Sequence, residues 1–238
     1  MSSTAYPPSF PYPLSVRGFF DQPSRALWLI KWLLLIPHYI ILVFLWLAFW
    51  IVTVIAFFAI LFTTRYPKGL FDFNVGVIRW SWRVSFYGYA ALATDRYPPF
   101  TLADVADYPA RLDLAYPQQL NRWLPLVKWL LAFPQYILVG ALVGSGYVVS
   151  ISVQENSVTS YSTPSLIGAC LLIAAIAMLF TTRYPPGLFD FVLGIDRWGY
   201  RLLVYVALMT DRYPPFRLDQ GSIDLDGPAQ RPQHNVAN

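Results

Sequence analysis

The chain is written twice. Residues 61–67 and 179–185 both read LFTTRYP, an offset of 118, and that offset carries GLFDF at 69–73 onto 187–191 and Arg79-Trp80 onto Arg197-Trp198. TDRYPPF recurs at 94–100 and 210–216, an offset of 116. Upstream, Lys31-Trp32-Leu33-Leu34 returns as Lys128-Trp129-Leu130-Leu131 at an offset of 97, which also takes Pro37 to Pro134 and Tyr39 to Tyr136. A unit that folds in one copy must therefore fold in the other.

Between the offsets of 97 and 118 lie 21 residues that only the second copy has, near 144–164, around Gln154-Glu155-Asn156-Ser157. A polar loop can be added where a membrane chain already leaves the bilayer. Mapped back, the insertion falls near Trp46 and Leu47, which predicts a helical hairpin with a tight apolar turn in copy one. The alternative is one long span over residues 39–62.

Residues 32–62, 129–154 and 156–182 carry no charge, and about 20 apolar residues suffice to cross the hydrocarbon core as a helix. Charged residues make up 13% of the chain and hydrophobic ones 56%, where a soluble domain holds roughly 25% charged residues. The net charge of +4 comes from residues flanking apolar runs. It therefore points to anionic lipid head groups and not to nucleic acid. Residues 1–13 have no basic residue and no apolar core, so no cleavable signal peptide is expected. Cys170 sits in an apolar run as a small hydrophobe.

These features predict an all-α integral membrane protein of two tandem repeats, each a transmembrane hairpin plus an amphipathic interfacial helix, with short cytoplasmic β segments. The expected divisions are an N-terminal segment 1–22, repeat one at 23–102, a linker at 103–119, repeat two at 120–218 and a flexible tail at 219–238. Each repeat would open with a helix from about Arg25 or Arg122, its Lys31 or Lys128 snorkelling to the head groups and its Pro37 or Pro134 kinking it. The third helices, 75–93 and 192–209, carry Arg79 and Arg83, and Arg197 and Arg201, at i and i+4 among aromatics, which suits a helix in the membrane plane. A third true span is the alternative. Alternation near 12–20, 108–116 and 216–225 suggests short strands. Loop 152–165 has no Lys or Arg, so the hairpin arrangement puts both termini in the cytoplasm.

LFTTRYPxGLFDF, then RW, then TDRYPPF, twice in order, resembles the bacterial membrane proteins grouped as domain-of-unknown-function family 4389. The resemblance covers most of residues 23–218. It implies a bacterial membrane location, here the inner membrane, and supplies no activity. Pro186 in place of Lys68, and the insertion, are the departures.

Candidate site residues follow from the repeated motifs. Arg65, Tyr66, Arg79, Arg83, Arg183, Tyr184, Arg197 and Arg201 are candidate head-group or interface anchors, with a plain helix stop at Arg-Tyr-Pro and a turn at Gly69 or Gly187 as the alternative. Asp72 and Asp190 are candidate ion-pair partners of Arg79 or Arg83 and of Arg197 or Arg201. Asp95, Arg96, Asp211 and Arg212 form turns that could dock a partner, or simply solvated turns. His38 has no Cys, Glu or second His at ligand spacing, so no metal is expected. No Ser-His-Asp set, Gly-rich phosphate loop, HExxH or CxxC is present, so neither enzyme activity nor a cofactor is expected. The expected function is that of an accessory or scaffold subunit, or a lipid-organising protein, with membrane lipids and other membrane subunits as partners. The alternative is a small transporter or channel between parallel copies, although within the spans only Thr53 and Ser145 stand out as polar.

Overall fold

The computed structural model describes residues 12–21, 23–24, 27–88, 91–143, 146–152, 157–163, 165–181, 184–219 and 221. Copy one comprises a strand β1 (Leu14–Gly18), a helix α1 (Trp28–Thr63) and a helix α2 (Lys68–Tyr87). Copy two comprises β2 (Ala110–Leu114), α3 (Leu124–Leu131), α4 (Phe133–Val143), a hairpin of β3 (Gly146–Ser152) and β4 (Ser157–Thr163), α5 (Leu166–Thr181) and α6 (Pro186–Val206).

The helical turn expected at Trp46 and Leu47 does not exist, because α1 runs unbroken for 36 residues. The insertion explains why a polar segment can enter copy two without a turn in copy one. Gly146 pairs with Thr163 at the open end of the β3–β4 hairpin, so the extra chain leaves the helix line and returns to it at one place. The α6 helix accordingly packs against α3, α4 and α5 in turn, as α2 packs against α1. Pro37 sits inside the unbroken α1, whereas α3 and α4 meet at a 45° bend beside Pro134.

Lys31, Leu35, His38, Leu42, Phe49, Thr53, Ala56 and Ile60 are the buried residues of α1. Their spacing of three, four and seven draws one narrow seam along the helix, and that seam faces α2. The remaining surface is apolar and outward, with Val43, Phe44, Leu47 and Phe62 all exposed. By length and composition α1 can cross a membrane, α3 and α4 together pass the same test as a bent pair, and α5 is a shorter apolar helix.

The α1 helix ends where Thr64 adopts the left-handed conformation, φ 60°, and returns its N–H to the Ile60 carbonyl. Pro67 then precedes α2 and Pro186 opens α6, as suits proline at a helix start. Gly69 and Gly187 lie inside those helices and turn nothing. The α2 and α6 helices are largely enclosed, with Trp80, Trp82, Phe86 and Tyr87 buried in one and Trp198 and Tyr205 in the other. They therefore act as the inner layer, not as exposed amphipathic helices.

Strands were expected at 12–20 and 108–116, and β1 and β2 occupy them as an antiparallel pair, Leu14 opposite Leu114 and Val16 opposite Leu112. The third expected strand, 216–225, is not one over residues 216–219, and most of the rest lies outside the described residues. Tyr12 and Tyr108 stand in equivalent places 96 residues apart, so the pairing is symmetric about Val16 and Leu112. A pseudo-twofold axis passes there. The Leu120 N–H reaches the Thr64 carbonyl at the end of α1. Phe20, before α1, packs against Tyr184, just after α5. The long helical lines of the two copies therefore run in opposite directions.

Candidate functional site

Each copy holds a lysine inside the protein. The Lys31 ammonium, 1% exposed, donates to the Thr94 carbonyl at 2.7 Å, pairs with Asp95 at 3.1 Å and stands 4.6 Å over the Tyr87 ring. Lys128, equally enclosed, donates to the Thr210 carbonyl at 2.9 Å, pairs with Asp211 at 2.8 Å and stands 5.2 Å over Tyr205. Three acceptors converge on each cation, which is what an enclosed ammonium requires. The second carboxylate oxygen of Asp95 accepts from the Ser24 N–H, and that of Asp211 from the Asn121 N–H. The lysines thus tie the start of each long helix to the Thr-Asp-Arg-Tyr turn; they do not snorkel outward.

Two turns further on, the Trp80 indole donates to His38 Nδ1 at 3.0 Å and the Trp198 indole to Gln135 Oε1 at 2.6 Å. Histidine and glutamine do the same work here, each offering an acceptor to an enclosed indole. His38 also stacks on Phe100, ring centres 4.0 Å apart. Among the described residues no group of three metal-ligating side chains exists.

The arginines reach across the twofold. Arg79 donates to the Leu112 carbonyl of β2 and pairs with Asp113 at 3.1 Å, while Arg197 donates to the Val16 carbonyl of β1 at 2.8 Å. Each copy thereby grips the strand of the other. Tyr12 donates to the Arg212 carbonyl and Tyr108 to the Arg96 carbonyl, again across copies. Burial pushes the Tyr108 phenol well above its ordinary range. Arg83 donates to the carbonyls of Thr101 and Ala103, and Arg201 pairs with the Asp219 carboxylate.

Most expected anchors are therefore inside the molecule. Arg83, Arg197 and Arg201 are buried and Arg79 half-buried. An enclosed guanidinium turned inward to carbonyls and carboxylates presents no fork to a phosphate at the surface. Tyr66 is enclosed, its hydroxyl accepting from Asn74 at 2.9 Å, and burial pushes its phenol up to about 12. Tyr184 is buried, Arg65 is exposed, and Arg183 lies outside the described residues. Asp72 pairs with Lys68 at 2.8 Å, one helical turn away on the surface, because Arg79 is turned to the sheet. Asp190 borders a cavity beside Tyr184. Asp95 and Asp211 serve as counterions of the buried lysines, so of the expected docking turns only Arg96 and Arg212 stand fully exposed.

Sequence reasoning passed over the pairs Lys31–Asp95 and Lys128–Asp211. Their recurrence in both copies was the available signal, since a charge kept in the same place of both copies beside a repeated carboxylate marks a pair. It also passed over Asp196, which stands where copy one has Ile78. Asp196 Oδ2 is enclosed with no hydrogen-bond partner, and burial raises its carboxyl well above the usual range, with Arg197 opposing.

No curated protein and no solved structure matches the chain. The two stretches that repeat the RYP, GLFDF and DRYPPF motifs, residues 25–101 and 158–217, both match the family described as Domain of unknown function (DUF4389), and the chain belongs to that family.

Proposed function

We propose that the protein is a non-enzymatic integral membrane protein that works through its membrane-facing surface, as a lipid-organising or scaffold element of the bacterial inner membrane. The observation that carries this is the outward face of α1, α3, α4 and α5. Phe44, Phe62, Trp129, Phe133, Leu172 and Phe180 are all more than half exposed on it, and an apolar surface of that extent is covered by lipid or by another membrane protein.

Three observations favour long helices lying along the membrane over helices crossing it. At 36 residues, α1 is about 54 Å long, against a hydrocarbon core of about 30 Å. Trp46 bonds Ser81 and Asn74 bonds Thr53, so Arg79 is level with the middle of α1. Its ion pair with Asp113 is partly exposed, and a charge at the bilayer centre costs about 2.5–3.5 kcal/mol or more. Exposed ion pairs also flank both ends of α1, Asp21–Arg96 before it and Lys68–Asp72 after it. On this reading the two copies lie side by side, their apolar helices immersed and their sheet toward the cytoplasm, with the pseudo-twofold along the membrane normal. With the copy-one hairpin gone, a multi-pass arrangement would rest on α1 and the bent α3–α4 pair as the spans.

Transport is the weaker alternative. The Thr53 hydroxyl donates to the Phe49 carbonyl and accepts from Asn74, and Ser145 lies outside the described residues.

Cysteines placed at Lys68 and Ala106, near opposite ends of α1, test the arrangement. Labelling of both from the same side of sealed vesicles is expected, and opposite sides would overturn it. Purification in mild detergent with identification of co-migrating proteins tests the scaffold role. A lone monomer that holds no lipid counts against both roles.

A further inference from the structure

Copy one carries an ammonium of its own where copy two has a cavity. Lys68 opens α2, and its ammonium lies 2.8 Å from Asp72 and 5.6 Å over the Tyr116 ring. Tyr116 in turn packs edge-on against Phe71 at 5.1 Å. The carboxylate and the rings recur in copy two, and the ammonium does not. Pro186 stands for Lys68, Asp190 for Asp72, Phe189 for Phe71 and, by the pseudo-twofold, Phe20 for Tyr116.

At that place copy two opens a cavity of about 490 Å³ bordered by Phe19, Phe20, Tyr184, Pro186, Phe189 and Asp190. Three of the rings touch one another edge to face, Phe20 to Tyr184 at 5.4 Å, Phe20 to Phe189 at 5.5 Å and Tyr184 to Phe189 at 6.0 Å. Among the described residues no ion pair reaches Asp190.

We propose that this cavity binds an organic ammonium, a primary amine taking the position that the Lys68 side chain holds in copy one. The carboxylate supplies the counter-charge, and the ring faces attract a weakly hydrated cation without stripping away a tight water shell. One carboxylate among phenylalanines is a poor set for a hard metal cation, which takes six or more oxygens. The volume falls in the range of small-molecule sites and exceeds what a bare ammonium fills, so a head group with its neighbouring atoms enters as well. The amine can come from an ethanolamine lipid head group or from a free amine in the cytoplasm. Only the lipid source rests on the membrane reading above.

The test uses the full chain in mild detergent. Ethanolamine is titrated against its ring fluorescence, and native mass spectrometry compares retention of phosphatidylethanolamine with phosphatidylglycerol. Saturable ethanolamine binding, or preferential retention of phosphatidylethanolamine, is expected. Pro186→Lys supplies the ammonium from within, as copy one does, and Asp190→Asn removes the counter-charge. Each is expected to weaken binding about tenfold or more while leaving the unfolding temperature measured without ligand close to that of the parent. Response to both probes or to ethanolamine alone makes the free amine a source, and response to the lipid alone makes it the head group. If the parent chain binds neither, or if both variants bind as the parent does, the site is overturned. Should the chain prove soluble without detergent, the membrane reading fails and the ethanolamine arm still reports on the cavity.

Discussion

The two copies share a frame and differ inside it. Both place a buried lysine between a carbonyl, a carboxylate and a tyrosine, both satisfy an indole with an acceptor from the long helix, and both send an arginine to the other copy's strand. Between α1 and α2, however, copy one has a polar knot in which Asn74 bonds both Thr53 and Tyr66. Leu171 and Val192 replace Thr53 and Asn74 in copy two, and the Tyr184 hydroxyl is enclosed without a hydrogen-bond partner. The groups that fix how helices, turn and sheet meet do not vary, while those that fill the space between helices do. Stability should therefore follow the frame in both copies alike and follow the interior in one copy only.

The largest loss is expected from the frame. Lys31→Ala and Lys128→Ala should each cost about 3 kcal/mol, the lower end of what breaking an enclosed ion pair costs, since Asp95 and Asp211 retain some water. Thermal unfolding in detergent measures this. A tolerated change in one copy and a severe one in the other would break the equivalence of the frames. Glycine contacts should separate the copies instead. A Cβ on Gly76 would stand 2.8 Å from the Leu102 Cβ and 3.1 Å from its carbonyl, whereas one on Gly194 meets nothing closer than the Asp219 carbonyl at 3.4 Å. Gly76→Ala should cost about 2 kcal/mol through overpacking, and Gly194→Ala under about 0.5 kcal/mol.

Asp196, which stands where copy one has Ile78, gives copy two a pH dependence that copy one does not have at that position. Its folded carboxyl titrates well above the usual value because burial disfavours the charge. The unfolded chain gives up that proton near pH 4, so from there upward the folded state binds more protons than the unfolded one. Stability must fall with rising pH until the folded carboxyl has also ionised. Asp196→Ile, which installs the copy-one residue, should flatten that slope and raise stability at pH 8 by about 1 kcal/mol. An unchanged slope would mean that the carboxyl is already ionised in the fold.

How far the sequence reached depends on what each inference needed. Helix ends at Arg-Tyr-Pro and the strands at 12–20 and 108–116 were legible because proline and alternation act locally. The 97-to-118 jump located the insertion correctly. It misled on α1, because the offsets record where residues were added and say nothing about whether the ends of the addition meet. Spacing puts the arginine pairs on one face, as lipid anchors need, without saying what that face meets, which here is a sheet formed by both copies. Asp95 and Asp211 looked like solvated turns for the same reason, since their lysines lie more than 60 residues away.

The smallest effect on stability is expected from the largest change in sequence. Removing residues 144–164 would join α4 to α5 and give copy two the continuous helical line of copy one. Gly146 and Thr163 already lie side by side at the root of the hairpin, so little chain need move to close the gap. The contacts of α6 with α3, α4 and α5 lie outside the deleted segment, and so does the Lys128–Asp211 pair. A shift within about 0.5 kcal/mol is therefore expected, with helical content per residue rising as measured by circular dichroism. If the shortened chain fails to fold while Lys128→Ala remains tolerated, the hairpin rather than the lysine frame organises copy two, and the two copies are alike in sequence but not in what holds them.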